Sequence, residues 1–155
     1  MRFAYATLFV DSIEASTKFY SEMFCLTTED NFGTFVSFRC GLSLWERKSV
    51  VSVTGVTPDS HFISGRGGME LEFRAIDIEK EYVRFRDAGV RFVQHLIKLP
   101  WEQRMFGCVD PDGHVIIIAE DMTVVAKRLL MAGYSIEEII ETTQRTRQGV
   151  EQLLK

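Results

Sequence analysis

The chain has 155 residues, 46% of them hydrophobic and 26% charged, with a formal net charge of −4. That length suits a single domain with its own core, and an aromatic content of 12%, including twelve Phe, excludes a disordered chain. Net acidity argues against a general nucleic-acid or anionic-membrane surface, and no apolar run approaches the roughly 18 residues of a membrane span.

The opening, MRFAYATLFVDSIE, carries an acid within eleven residues and no small-residue cleavage site, so it does not read as a signal peptide. Cys25, Cys40 and Cys108 are odd in number and lie in no motif, which predicts buried thiols in a reducing cytoplasm. A strand-like run over FAYATLFV leads into a helical pattern with Ile13, Thr17, Tyr20 and Phe24 on one face. Strand-like TFVSFRCGLSLWE follows. Residues 49–68, SVVSVTGVTPDSHFISGRGG, are rich in Ser, Gly and Thr and read as a loop.

The plan then repeats. MELEFRAIDIEKEYVRFRDAGVRF gives a strand and a helix with Ile78, Tyr82, Phe85 and Gly89 in the same order, and a shift of 65 places Ile13 on Ile78 and Tyr20 on Phe85. Strand-like QRMFGCVDPDGHVIIIAED follows, its Asp110-Pro111-Asp112-Gly113 being turn chemistry. Leu44-Trp45-Glu46 matches Ile118-Ala119-Glu120, and both glutamates read as solvated strand ends. The result is an α+β chain with a βαβββ unit written twice. After Asp121 a short helix over 123–132 stops at Gly133, and Ser135 caps a second, with Glu138 at the capping-box position. Its stripe of Ile136, Ile139, Ile140, Val150, Leu153 and Leu154 predicts a helical pair that buries one face.

The repeat, together with VDSIEAS…FYSEMFCL, AIDIEKEYVRFRDAGV and PWEQRMFGCVDPDGHVIIIAED, resembles the vicinal oxygen chelate superfamily of glyoxalase I, extradiol dioxygenases and bleomycin-binding resistance proteins. The resemblance covers about residues 3–121, and it implies a domain over 1–121, with modules at 3–48 and 69–121 joined by the 49–68 linker, followed by a C-terminal helical extension over 122–155. It departs at Cys25 and Glu102, where similar proteins carry Gly. It implies that each module forms a half-open cup, the two cups facing around a cleft. Metal-using members hold a divalent Lewis acid there with four ligands drawn from His, Glu and Gln.

In this sequence the four positions fall on Tyr5, Ser43, Glu70 and Ile117. A neutral phenol is a poor ligand for a divalent cation at pH 7, isoleucine has no donor, and only Glu70 is a credible ligand. No metal ligand is therefore assigned and no cofactor is expected, with a divalent metal as the alternative. Glu72, Glu46 and Glu120 lie near these positions, and a register slip of one would turn each of them to the other strand face. His61, His95 and His114 pair with one another at no ligand-like spacing.

Strand alternation places Tyr5, Thr7 and Phe9 on one face, Ser43 with Trp45, and Glu70 with Glu72 and Arg74. With Trp101, Arg104 and Phe106 near the third strand of module two, these make a candidate small-molecule pocket of aromatic walls and a few polar groups. Arg104 can fork a ligand carboxylate or phosphate, or pair with Glu70 or Glu72. Glu70 is also a candidate general base, a role that needs burial among aromatic side chains. The expected function is metal-independent binding of a small molecule, as in antibiotic or metabolite sequestration. The alternative is a glyoxalase- or dioxygenase-type enzyme, a lyase or an oxidoreductase. A third reading, a regulator with a helix–turn–helix-like tail, meets a second helix that begins IEEIIETT, and residues 122–155 carry five basic and four acidic side chains, so nucleic acid is not the expected partner. A homodimer is expected, with no membrane partner.

Overall fold

The computed structural model describes residues 4–54 and 70–155. In chain order these form β1 (Ala6–Val10), α1 (Ile13–Phe24), β2 (Thr28–Asn31), β3 (Phe35–Phe38), β4 (Leu42–Glu46), α2 (Arg47–Thr54), β5 (Leu71–Ala75), α3 (Ile78–Asp87), β6 (Phe92–Lys98), β7 (Arg104–Val109) and β8 (Val115–Glu120). Three helices close the chain: α4 (Met122–Met131), α5 (Ile136–Thr143) and α6 (Arg147–Leu153). Contacts divide it into two units, Met1–Gly68 with Asp110–His114, and Met69–Val109 with Val115–Lys155. None of the described helices is long and apolar enough to cross a membrane.

Each unit carries one four-stranded mixed sheet, in the order β1-β4-β3-β2 in unit 1 and β5-β8-β7-β6 in unit 2. The strand after each helix does not return beside the first. The fourth does, in parallel: Thr7 pairs with Ser43 in one sheet and Glu72 with Ile117 in the other. This is the βαβββ repeat that the sequence predicts, in the register without a slip.

In unit 1, Leu8, Val10, Val36, Phe38, Leu42 and Leu44 are buried and, by alternation, face α1. The buried line of α1 runs through Ser16, Tyr20 and Met23, with the expected Ile13, Thr17 and Phe24 only half-buried beside it. The stripe rotates because Ser16 and Tyr20 have polar partners in the 110–114 turn. Ser16 Oγ donates to Asp112 Oδ2 at 2.8 Å and Tyr20 Oη donates to Asp110 Oδ2 at 2.9 Å. Asp110 also accepts from the backbone N–H groups of Asp112 and His114 and meets His114 Nδ1 at 2.8 Å, so the His is tied into the turn. Helix α1 ends at Cys25 in the left-handed region, φ 54, a conformation that costs a non-glycine residue roughly 1 kcal/mol. The linker expected from residue 49 is helical at its start: α2 runs to Thr54, and Arg47 at its head is held by Asp11 Oδ1 and the Phe9 carbonyl. Residues 55–69, with His61, lie outside the described ones.

In unit 2 the space between α3 and the sheet is filled by rings. Phe106 lies 5.5 Å from Tyr82, 5.4 Å from Phe85 and 5.6 Å from Phe92, centroid to centroid. Burying each such side chain contributes roughly 1.5–3 kcal/mol. His95 is exposed, but its Nδ1 meets Tyr82 Oη at 2.9 Å and its ring stacks on Phe92. All three cysteines are free, and two of them, Cys25 and Cys40, are exposed rather than buried as expected, because both sit in turns at element ends.

The expected helical pair is three helices. Ser135 and Glu138 form the capping box of α5 as the spacing requires. Gln144 then turns left-handed, φ 54, and Thr146 Oγ1 caps α6 by accepting from Gly149 N at 3.1 Å. The break lets Ile139, in the middle of α5, and Val150 of α6 both reach the face of α4 that carries Val125, Ala126 and Leu129. One straight helix cannot fold back in that way.

Candidate functional site

In unit 1 the sheet face turned away from α1 carries Thr7, Phe35, Ser37, Ser43 and Trp45, as the ladder registers dictate. Thr7 Oγ1 and the fully buried Ser43 Oγ lie 2.8 Å apart in a hydroxyl pair. Ser37, also fully buried, donates to Asp30 Oδ2 at 3.3 Å. Above these polar groups stand rings: Phe35 lies edge-on to Trp45 at 5.8 Å and to Tyr5 at 6.4 Å, and Phe32 stacks on Phe35 at 6.3 Å. The sequence-predicted Tyr5, Thr7, Ser43 and Trp45 are thus brought together. Phe35, Ser37 and Asp30 were missed, although the alternation within TFVSF puts Phe35 and Ser37 opposite Trp45 and Ser43.

Unit 2 treats its predicted residues differently. Glu72 and Arg74 share the face turned away from α3 and form an ion pair at 2.5 Å, both partners well exposed. Glu70 stands exposed just before β5, without the burial that a metal-free general base there requires. Phe106 belongs to the ring cluster under α3, and alternation puts Arg104 on that same side. Neither reaches the face expected to bind, because β7 presents Met105, Gly107 and Val109 there instead. At Gly107 a Cβ would lie 3.1 Å from Val93 Cγ2 and 3.3 Å from Ile117 Cδ1, so a side chain there requires these neighbours to give by a few tenths of an ångström. Trp101, in the loop before β7, donates its Nε1–H to Gln103 Oε1 at 2.8 Å.

Arg104 pairs with neither Glu70 nor Glu72 but with Glu120 at 2.5 Å and Glu79 at 2.6 Å. Glu120, expected to be solvated, is fully buried, and Arg128 of α4 adds a second cation at 3.3 Å. Burial by itself pushes the Glu120 carboxyl up, but the hydrogen bonds and charge of Arg104, with the charge of Arg128, outweigh it and hold the group below its ordinary value. The same pairing raises Arg104. Arg128 also donates to the Glu102 carbonyl at 2.6 Å. Glu102 sits at φ 66, the left-handed conformation for which similar proteins use Gly, and its carboxylate meets Lys98 at 2.8 Å.

The glyoxalase-like domain family matches residues 3–123, about four-fifths of the chain. The chain belongs to that family. It is thereby a member of the vicinal oxygen chelate superfamily. This glyoxalase-like protein is 31% identical to a protein of unknown function from Agrobacterium tumefaciens str. C58, over 78% of its own length and 94% of the other, with a TM-score of 0.66. It shares its fold with a glyoxalase-related enzyme from Fulvimarina pelagi, at 23% identity, 79% and 89% coverage and a TM-score of 0.65. The same holds for a lactoylglutathione lyase from Agrobacterium tumefaciens, at 21% identity, 77% and 93% coverage and a TM-score of 0.58. No curated protein matches the chain.

The donor set of this glyoxalase-like protein does not fit the superfamily's divalent metal. Unit 1 offers a phenol at Tyr5 and, at Ser43, a neutral hydroxyl already engaged by Thr7. Unit 2 offers the carboxylate of Glu70 and the hydrocarbon of Ile117. Among the described residues no three His, Cys, Asp or Glu side chains gather where they can hold an ion.

Proposed function

We propose that this glyoxalase-like protein binds a small molecule carrying an aromatic ring and a positive charge, without a catalytic metal, on the open sheet face of unit 1. The observation that carries this reading is the Tyr5–Phe35–Trp45 ring set beside the Thr7–Ser43 hydroxyl pair and the Ser37–Asp30 hydroxyl–carboxylate bond. Rings in mutual edge-to-face contact hold their geometry before a ligand arrives, so less ordering is lost on binding. Their faces attract a cation as well as another ring. Asp30 supplies a negative charge at the border of the same face, while the buried Ser37 and Ser43 hydroxyls, already hydrogen-bonded, steady the strands that carry the rings. Sequestration of such a molecule is the activity these groups support. A homodimer is part of the proposal, to be checked by light scattering.

The test is thermal unfolding with bleomycin and with planar aromatic amines, set against unfolding with Ni, Zn, Mn and Fe(II). A ligand at about 100 times its Kd stabilises the folded state by about 2.7 kcal/mol. The expected result is a saturable rise in Tm with at least one aromatic cation, lost in Trp45→Ala, and no specific rise with any metal. Near-stoichiometric metal in protein purified without chelator, together with a specific metal-induced rise, would overturn this reading in favour of a lyase or dioxygenase.

A further inference from the structure

A recess of about 360 Å³ lies in unit 2, where the loop before β7 meets α4 and the end of α5. It is lined by Trp101, Gln103, Met122, Thr143, Gln144 and Arg145. Three of these six lie beyond residue 123, where the family match stops. The C-terminal helices therefore complete this recess, and the shared domain does not. We propose that it is a second binding site, one that takes a small aromatic carboxylate.

Four features select that chemistry. Trp101 is 37% exposed, its N–H is already committed to Gln103, and its ring has no aromatic partner among the described residues, so what it offers a ligand is an apolar face. Met122 adds a polarisable thioether, which favours an aromatic neighbour. Gln103 is only 5% exposed and is fixed from both ends, by Trp101 on its oxygen and by donation of one amide hydrogen to the Glu120 carbonyl at 2.7 Å. Its second amide hydrogen has no acceptor among the described residues, so it is an oriented donor. Arg145, on the turn between α5 and α6, forms no ion pair among the described residues, whereas its neighbour Arg147 is neutralised by Glu137. An unpaired guanidinium is the group that forks a carboxylate. The volume lies at the small end of ligand sites, about 300–1,000 Å³, and admits one bicyclic ring.

The chain has two tryptophans, so the two indole N–H resonances report the two sites separately. Titrating the full chain with 1-naphthoate is expected to move the Trp101 signal saturably and to leave the Trp45 signal in place. 1-Naphthamide is expected to bind at least tenfold more weakly. Arg145 is exposed on a turn, so Arg145→Gln keeps the fold, which its melting curve checks, and it is expected to raise the naphthoate Kd about tenfold or more, the effect of one lost charge-assisted contact. Equal affinity for the acid and the amide, an unchanged Kd in Arg145→Gln, or a shift confined to Trp45 would each overturn the proposal, as would the lack of any saturable shift. Aromatic cations that move only Trp45 leave this outcome independent of the reading for unit 1.

Discussion

In unit 1 the β1–β4 ladder sets Phe9 against Trp45, and Glu46 follows half-buried at the strand end. The matching pair in unit 2 is Arg74 against Ala119, and Glu120 follows with no exposed surface. One backbone plan thus carries rings on the open face of one unit and small or charged groups on that of the other. The strand-end glutamate differs for a separate reason. In unit 2, Arg104 from β7 and Arg128 from α4 converge on it, and the second of these exists only because the chain continues past the repeat. Duplicated topology fixes where side chains point. What surrounds them decides whether a carboxylate there is surface or interior.

Replacing the two glutamates is the sharpest way to break the comparison. Glu120→Ala removes the buried carboxylate that two guanidinium groups share, leaving Arg104 to Glu79 and Arg128 to Glu102, and loss of one member of a buried pair costs about 3–5 kcal/mol. Both arginines keep part of their surface in water, at 26% and 34%, so about 3 kcal/mol is expected by urea denaturation. Glu46→Ala is expected to stay within about 0.5 kcal/mol. Equal costs would mean that the two strand ends are energetically alike after all.

Acid probes the same contrast without mutation. Glu120 and Asp110 both have carboxyls held below their ordinary values of 4.5 and 3.8. For Asp110, burial pushes up, and the His114 and Tyr20 hydrogen bonds with the His114 charge more than reverse it. A depressed folded-state carboxyl lends stability above its unfolded value and loses it as pH falls through the folded one. Stability is therefore expected to decline from about pH 4.5 downward, and Glu120→Gln to flatten the upper part of that decline. A stability curve with the same acid limb in both proteins would contradict the assignment.

Tyr20→Phe is expected to cost less, about 1–2 kcal/mol, because Asp110 keeps its three other donors. The smallest effect is at Glu102. Glu102→Gly relieves the left-handed backbone but gives up the pairing with Lys98 and Arg128, terms of about 1 kcal/mol each, so the net change is expected within about 0.5 kcal/mol. Glu102→Ala keeps the strain, loses the pairs and is expected to fall about 1 kcal/mol below wild type in the same denaturation experiment.

The repeat, both helix starts and the Ser135–Glu138 capping box were legible in the sequence because each is written in short-range spacing. The aromatic face of unit 1 was legible in part, through the alternation of Tyr5, Thr7, Ser43 and Trp45. Phe106 and Arg104 were misplaced because a strand's face is set by its first residue, and only the pairing of Phe106 with buried Ile118 reveals the parity. Glu120 was misjudged because its burial depends on Arg128, eight residues further on and in another element. The break at Gln144 had no glycine or proline to announce it. Its one signal was Thr146, three residues before Gly149.

The turn at Asp110–His114 belongs to unit 1, although 41 residues of unit 2 precede it in the chain. Its bonds to Ser16 and Tyr20 span 96 and 90 positions. During synthesis from the N-terminus, at roughly 5–20 residues per second, unit 1 emerges first yet stays unfinished until the ribosome has released residue 112. The hydroxyl of Tyr20 has no Asp110 to meet before then. The first half of this protein matures only after half of the second has been made, and a nascent chain halted at residue 108 will expose that unfinished half to proteases.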